Sequence, residues 1–421
     1  MGVRMPRIVA TAPEVEHKPY RPWIAVQVII VAVLLGGLLG TTYAGLGNRS
    51  SLASYEYALW RWQAENIPSV LLRLAGIDPP MDGLSDTEVL QRYFAYTTQM
   101  RNEANKLEPD RERLSDLRIA RDHYERRTER VLMEYIDDAI GQAGLRETLP
   151  FFRDVSFTWP PVEIRLAEPP HVLVRSPRDD IVRLGDRLLR TNLTLDDIDH
   201  VETKVDGDDL ASMVIPLGGL ATYPAIVTSN RNYWGILETA AHEWIHHYLA
   251  FYPLGQTWGS SHEANVLNET VANVGGRGIA SIVHQRNPVS FADGRDGSWT
   301  ARPERTVEFN ETMRELRLEV DELLEEGRVQ EAERLMEETR LFLAEHGIVI
   351  RRLNQAYFAF FGTYADLPAS SDPIGPKVEQ LWELAGHDLA LFMELVRDIT
   401  NVDELRETLD WMERLQVASG R

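Results

Sequence analysis

The sequence contains no cysteine, and its acidic residues clearly outnumber its basic ones. Its 421 residues include 65 aspartates and glutamates but only 44 lysines and arginines, which gives a formal net charge of −21. The lack of cysteine excludes disulfides, thiol nucleophiles and thiolate ligands, so any bound metal ion must be held by nitrogen and oxygen atoms. The acidic balance, without a cluster of lysine and arginine, argues against nucleic acid as a partner. A chain of this length can hold two or three domains.

Charge is also missing from one long apolar segment near the N-terminus. Residues 23–43 carry no charged side chain and are long enough, at about 20 residues, to span a bilayer. Basic residues precede this segment at Arg4, Arg7, Lys18 and Arg21, whereas only Arg49 follows it closely. The bias predicts a cytoplasmic tail (1–22), a single transmembrane helix (23–43) and an extracytoplasmic remainder. A signal peptide cleaved near residue 44 is the alternative, and Gly36 and Gly40 could pack two anchors into a homodimer.

One stretch of the chain, residues 239–249, carries a His-Glu-x-x-His motif. It lies in a segment, about Asn232 to Ala250, whose pattern predicts a helix. On a helix, His242 and His246 project from one face and can bind the same metal ion, and zinc readily takes imidazole ligands. Glu243 is rotated by roughly 100° and can take a proton from a water that the metal activates. The alternative is that both histidines are structural and Glu243 is merely solvated.

A catalytic zinc site usually has a third protein ligand, which the sequence places on a second helix. The segment 262–273 is predicted to be helical, and the loop before it lets this helix fold back against the first. Glu269 is therefore the preferred third ligand, and Asn273, one turn later, can hydrogen-bond a ligand. Glu263 is the competing ligand, closer to the loop.

The two motifs together, His-Glu-x-x-His and a downstream Asn-Glu-x-x-x-Asn, resemble the gluzincin zinc metallopeptidases. The resemblance implies that His242, His246 and Glu269 bind zinc and that Glu243 is the general base. It also implies that Asn273 orients a ligand histidine.

The chain departs from the thermolysin-like pattern at Asn273, where that pattern has aspartate. An asparagine can accept a hydrogen bond but cannot raise the basicity of a ligand as a charge would. The resemblance covers only about residues 231–283. A metzincin is excluded, because it would need glycine and histidine where this chain has Leu249 and Tyr252.

An aromatic-rich segment, residues 354–365, offers candidates for a further catalytic role. Tyr357 or Tyr364 could donate a hydrogen bond to the oxyanion that forms in acyl transfer. His262 and Arg277 are rival donors, and packing in a hydrophobic core is the alternative explanation for the aromatic residues.

These patterns predict an α+β, predominantly helical fold with a small β-sheet next to the His-Glu-x-x-His helix. Residues 44–150 are expected to form a helical stalk or cap, 151–285 the zinc-binding catalytic core, and 286–421 a helical C-terminal region. Within the core, strands are predicted at 162–166, 171–175, 211–216 and 223–228, and a helix from Ile181 to Leu195. An extended peptide could bind at the sheet edge, as in the family that the chain resembles, with 218–221 as its flexible segment.

The function expected from the sequence is that of a membrane-anchored zinc metallopeptidase acting on a peptide or protein substrate. The alternative is a non-enzymatic, membrane-anchored helical interaction protein with a structural or vestigial metal site.

Overall fold

Most of the residues that the structure describes lie in α-helices. The structure is a computed structural model that describes residues 52–74, 83–149, 152–291, 307–364 and 373–419. It confirms the predicted class, a predominantly helical α+β fold. None of the helices in these ranges is long and apolar enough to cross a bilayer. The predicted tail and anchor, residues 1–43, lie outside the described residues.

The helices are labelled α1 to α13 in chain order. They are α1 (Leu59–Leu74), α2 (Asp86–Ala104), α3 (Arg111–Gln142), α4 (Leu195–Val205), α5 (Tyr233–Leu249), α6 (Pro253–Gln256), α7 (His262–Arg286), α8 (Val307–Glu325), α9 (Val329–Glu345), α10 (Gln355–Phe361), α11 (Ile374–Leu384), α12 (Leu389–Val396) and α13 (Val402–Ser419). Several begin where local sequence provides a cap: Ser85 and Glu88 form a capping box at α2, and Asn232 caps α5 by accepting a hydrogen bond from the amide of Gly235.

The described strands form three small sheets. The strands are β1 (Glu147–Leu149), β2 (Phe152–Phe157), β3 (Ile164–Ala167), β4 (His171–Pro177), β5 (Asp186–Leu189), β6 (Leu210–Pro216), β7 (Gly219–Leu220) and β8 (Ala225–Thr228). β1 pairs with β2, the second sheet has the order β3–β8–β7, and the third has the order β5–β4–β6. β8 is parallel to β3 and antiparallel to β7, and it leads directly into α5. A small sheet therefore lies beside the His-Glu-x-x-His helix, but the four predicted strands are divided between two sheets, β3 and β8 in one and β4 and β6 in the other.

Two large hydrophobic cores organise the helices around these sheets. The first joins β3 and β8 to α2, α3, α5, α7 and the C-terminal helices α11 to α13. It therefore contains residues from all three predicted segments, 44–150, 151–285 and 286–421. The second core packs α8, α9 and α10 on one face of the sheet β5–β4–β6.

The sheet β5–β4–β6 is buried on both faces, because successive side chains of each strand point to opposite faces and pack against different helices. Val172 and Val174 point into the second core. Leu173, between them, points to the opposite face, into a small cluster with residues of α4 such as Ile198 and Val201. This sheet is thus fixed between two helical layers.

One predicted element is wrong: residues 181–195 do not form a helix. Residues 186–189 form β5, which pairs antiparallel with β4 so that His171 lies opposite Leu189. The chain reverses through bends at 178–180, and Gly185, with φ of +84°, directly precedes β5. The helix starts only after Thr194, whose side chain forms a capping box with Asp197. Residues 186–189 form a strand because they pair with β4. The residue that caps the next helix, Thr194, lies one residue before the end of the predicted helix.

Candidate metal centre

Helix α5 holds His242 and His246 side by side at the edge of the first core. Their Nε2 atoms are 3.0 Å apart, and their rings meet edge to face with centroids 4.6 Å apart. The opposite side of α5 is anchored by Trp244, whose Nε1 donates a hydrogen bond to the Pro160 carbonyl at 2.9 Å. The spacing of four residues thus places both imidazoles on one partly exposed face, while most of the other residues of the helix are buried.

Helix α7 brings Glu269 to the same point, and glycines allow the close approach of the two helices. A Cβ atom at Gly276 would lie 3.0 Å from the backbone nitrogen of His242. A Cβ atom at Gly275 would lie 3.1 Å from the side chain of Ile245. Because neither glycine has a side chain, the backbones pack closely, and Glu269 Oε2 lies 3.3 Å from His242 Nε2 and 3.5 Å from His246 Nε2.

The three side chains fit a metal ion. Their ligand atoms all lie within 4.8 Å of one another. Two nitrogens and an oxygen bound tetrahedrally to zinc would be separated by roughly 3.3 Å, close to the distances found. Glu269 Oε2 is buried, and among the described residues it accepts no hydrogen bond of good geometry. An oxygen so placed between two imidazole nitrogens can serve as a ligand, so His242, His246 and Glu269 could hold a metal ion.

Glu243 lies next to this group but faces the sheet. Its side chain is only 6% exposed, and Gly219 of β7 covers it so closely that a Cβ atom there would be 2.2 Å from Glu243 Oε1. Burial raises the pKa of Glu243 to about 8, an effect that His246 opposes and Glu269 reinforces. A carboxyl group whose pKa lies near neutral pH is suited to accept and return a proton.

The strand over Glu243 is the outer strand of its sheet. β7 pairs antiparallel with β8, with Gly219 opposite Val227 and Leu220 opposite Ile226, and it ends the order β3–β8–β7. The segment 218–221, predicted as flexible, therefore contains an edge strand directly beside the candidate base.

The two candidate tyrosines differ in how close they lie to the ligand group. Tyr364, just after α10, lies close enough to the site that Glu269 and Glu243 both raise the pKa of its phenol, in addition to the larger effect of burial. The phenol therefore keeps its proton at neutral pH and can donate a hydrogen bond. Tyr357 instead packs on Phe361, with ring centroids 4.5 Å apart. Both tyrosines are partly buried against the second core.

The other candidate residues lie further from the ligand group. His262 is the exposed first residue of α7, roughly 10 Å along the helix from Glu269. Glu263, the competing ligand, accepts a hydrogen bond from the backbone nitrogen of Val402 at 2.7 Å and is not in the ligand group. Arg277 forms an ion pair with a residue of α11, Glu379.

Asn273 occupies the expected place on α7. It lies one turn after Glu269 and is half-buried. Its expected role, to orient a ligand histidine, stays a prediction.

Three residues near the site were not singled out by the sequence patterns. Gly219 was predicted only as part of a flexible segment, and nothing in the local sequence linked it to Glu243. Arg183, between β4 and β5, donates a hydrogen bond to Thr363 Oγ1 at 3.3 Å and lies 4.9 Å from the ring centre of Phe360, next to the segment that carries Tyr364. Trp258 lies beside His246, with ring centroids 5.9 Å apart.

Comparison of the chain with models of known protein families, with curated proteins and with solved structures finds no match.

Proposed function

We propose that this protein is a zinc metallopeptidase of the gluzincin type. The observation that carries the proposal is the convergence of His242, His246 and Glu269 from two helices, with the buried carboxyl of Glu243 beside them. Two imidazoles and one carboxylate, without cysteine, are the ligand set of several catalytic zinc sites. The order of these residues along the chain is that of the family that the sequence resembles.

The reaction would be hydrolysis of a peptide bond. A bound zinc ion would lower the pKa of a coordinated water and polarise the carbonyl of the scissile bond. Glu243 takes the proton of the attacking water and passes it to the leaving amine. Tyr364 donates a hydrogen bond to the oxyanion that develops on the carbonyl.

The substrate would be an extended peptide that pairs with the edge strand β7. An outer strand offers unpaired backbone groups to a further strand, which gives affinity without a particular sequence. Because Gly219 of β7 lies against Glu243, a peptide on this edge would pass close to the base and to the ligand group. Nucleic acid is not proposed as a partner, given the net charge of −21.

The proposed location is the membrane, with residues 23–43 as a single anchor. The tail 1–22 would lie in the cytoplasm and the metal centre on the other side of the membrane. The proposal is supported by the uncharged segment and by the excess of basic residues before it.

The test of the metal site is elemental analysis of the full-length chain, purified in detergent. We expect about one zinc per chain in the wild type, lost in His246→Ala and in Glu269→Ala because each removes one of three ligands. Glu263→Ala is the matched control, a carboxylate removed from the same helix, and it should keep the metal. Zinc lost from Glu263→Ala but kept in Glu269→Ala would show that the third ligand is wrong. A wild type that takes up no zinc would favour the interaction-protein alternative.

The test of the mechanism is the Glu243→Gln variant. This change keeps the size of the side chain but removes the base, so we expect normal zinc content and a turnover of peptides reduced by at least roughly 10²-fold. Hydrolysis is measured on a peptide mixture by mass spectrometry. A variant with near-wild-type turnover would contradict the role of Glu243.

A further inference from the structure

An exposed tryptophan stands next to one of the metal-binding histidines. Trp258 is 45% exposed, and among the tryptophans that the structure describes it is the only exposed one. Its ring lies edge to face with that of His246, at a centroid distance of 5.9 Å. Aromatic rings left in solvent at a concave or functional site commonly serve as contacts for a ligand, because they offer a large apolar surface with few rotatable bonds.

The loop that carries Trp258 is held in place by hydrogen bonds on both sides of the ring. Before it, Thr257 Oγ1 donates a hydrogen bond to the carbonyl of Leu254, which is fully buried. After it, the Gly259 amide donates to Asn265 Oδ1 at 2.7 Å, and Gly259 itself has a φ of +79°, which favours glycine. The indole is thus presented to solvent by an anchored turn.

The loop that carries Trp258 has no charged side chain. The loop 256–261 consists of glutamine, threonine, tryptophan, glycine and two serines. A group that binds here is therefore selected by the apolar face of the indole, since no side chain of this loop could pair with a charged substrate group.

We propose that Trp258 forms one wall of a subsite that takes an aromatic side chain of the peptide substrate, on a residue adjacent to the scissile bond. The inference builds on the proposed function. Successive Cα atoms of a peptide are 3.8 Å apart, so a substrate whose carbonyl lies at the ligand group places a neighbouring side chain within reach of a ring that packs against His246. Stacking on the indole then favours aromatic over small side chains.

The first test measures binding and needs no turnover. The zinc-loaded full-length chain is titrated with acetohydroxamate and with phenylacetohydroxamate, two metal-binding probes that differ by a phenyl ring. We expect the phenyl compound to bind roughly tenfold more tightly to the wild type. Trp258→Ala should abolish this preference and Trp258→Phe should keep most of it. The control is Phe342→Ala on α9, where an aromatic side chain of similar exposure, 49%, is removed far along the chain.

The outcomes separate the subsite from the proposed function. Zinc content is measured in every variant, so failure to bind zinc counts against the metal site itself. If zinc is bound, equal affinity of the wild type for both probes overturns the subsite, and so does an unchanged preference in Trp258→Ala. If Trp258 merely shielded His246, its removal would alter zinc affinity and leave the preference between probes intact.

The second test uses hydrolysis. Peptides that differ only in having phenylalanine or alanine beside the cleaved bond are compared in wild type and Trp258→Ala. We expect kcat/KM for the phenylalanine peptide to fall roughly tenfold in the variant, with the alanine peptide nearly unchanged. An equal fall for both peptides would overturn the subsite. Absence of hydrolysis by the wild type would overturn the peptidase proposal, while the probe titration would still decide the subsite.

Discussion

Glu243 and Glu269 are both buried beside the same two histidines, yet their pKa values are displaced in opposite directions. Burial raises the pKa of Glu243 to about 8. Burial also acts to raise the pKa of Glu269, but His246 and His242 outweigh it and hold that pKa well below its ordinary value. Two carboxyl groups with such different pKa values can act one as a metal ligand and the other as a base. A divalent cation at the site would favour the ionised form of Glu243, in which it can accept a proton.

At the same scale, the choice between the two tyrosines gives a prediction. Tyr364→Phe removes a hydroxyl near Glu243 and Glu269, so we expect kcat to fall roughly 10²-fold, as when a donor to an oxyanion is lost, with zinc content and KM little changed. Tyr357→Phe is the control, since that ring packs on Phe361. Steady-state kinetics on a cleaved peptide provides the measurement. The reverse result, in which Tyr357→Phe is the slower variant, would show that Tyr364 is not the oxyanion donor.

Among the described strands, β7 lies against the candidate base, Glu243. Its Gly219 lies where a Cβ atom would be 2.2 Å from Glu243 Oε1 and 2.8 Å from Thr239 Cγ2. A glycine at this position therefore lets the strand lie directly over helix α5. Any side chain there must displace either the strand or the carboxyl group.

The corresponding prediction concerns Gly219→Ala. We expect the variant to bind zinc normally, because the ligands lie on α5 and α7, but to lose turnover by roughly 10²-fold, since a shift of about 1 Å at a catalytic group can have that effect. Gly207→Ala is a matched control, because a Cβ atom at Gly207 has no neighbour within 4 Å. Zinc analysis and peptide kinetics are compared for both variants. Normal turnover in Gly219→Ala would show that the strand moves away without affecting Glu243.

For the molecule as a whole, the candidate metal site links two helices of the first core. His242 and His246 lie on α5, Glu269 lies on α7, and both helices pack with α2, α3 and the C-terminal helices. A ligand that binds only the folded chain stabilises it, by about 4 kcal/mol when its concentration is a thousand times its Kd. A metal ion bound by these three residues should therefore affect the stability of most of the described fold.

We accordingly predict that chelation lowers the melting temperature of the zinc-loaded protein by several degrees. The shift should be absent in His246→Ala, which lacks a ligand, and present in Glu263→Ala, which keeps all three. Differential scanning calorimetry of the full-length chain in detergent, with and without chelator, measures it. An equal shift in His246→Ala would place the stabilising metal elsewhere.

The proposed anchor is also tested on the whole molecule. Expressed in bacteria, the full-length chain should remain with the membranes after an alkaline carbonate wash. Replacing Val31 and Leu35 by arginine should release it, because each charge at the centre of a spanning helix costs about 2.5–3.5 kcal/mol. Protease added outside the inner membrane should digest the wild-type protein beyond residue 43. Release of the wild type by the wash would contradict the anchor.

Local sequence was sufficient for much of the fold and for part of the site. The capping box at Ser85, the cap at Asn232 and Gly327, with φ of +72°, lie at helix ends and involve only residues close together in the chain. The spacing of His242 and His246 determined that they share a face, since a helix has 3.6 residues per turn. These features depend on residues a few positions apart, so the chain order alone specifies them.

Tertiary structure decided which distant residues meet. Pairing with β4 made residues 186–189 a strand where a helix was predicted. Where α13 meets the start of α7, Glu263 accepts a hydrogen bond from the backbone of Val402. Glu269 is therefore the carboxylate that lies beside the two histidines. The placements of Tyr364, Gly219 and Trp258 likewise depend on contacts between elements that are far apart in sequence or joined by irregular loops. Such contacts have no periodic signal in the chain, because they arise from how buried faces fit together rather than from local backbone preference.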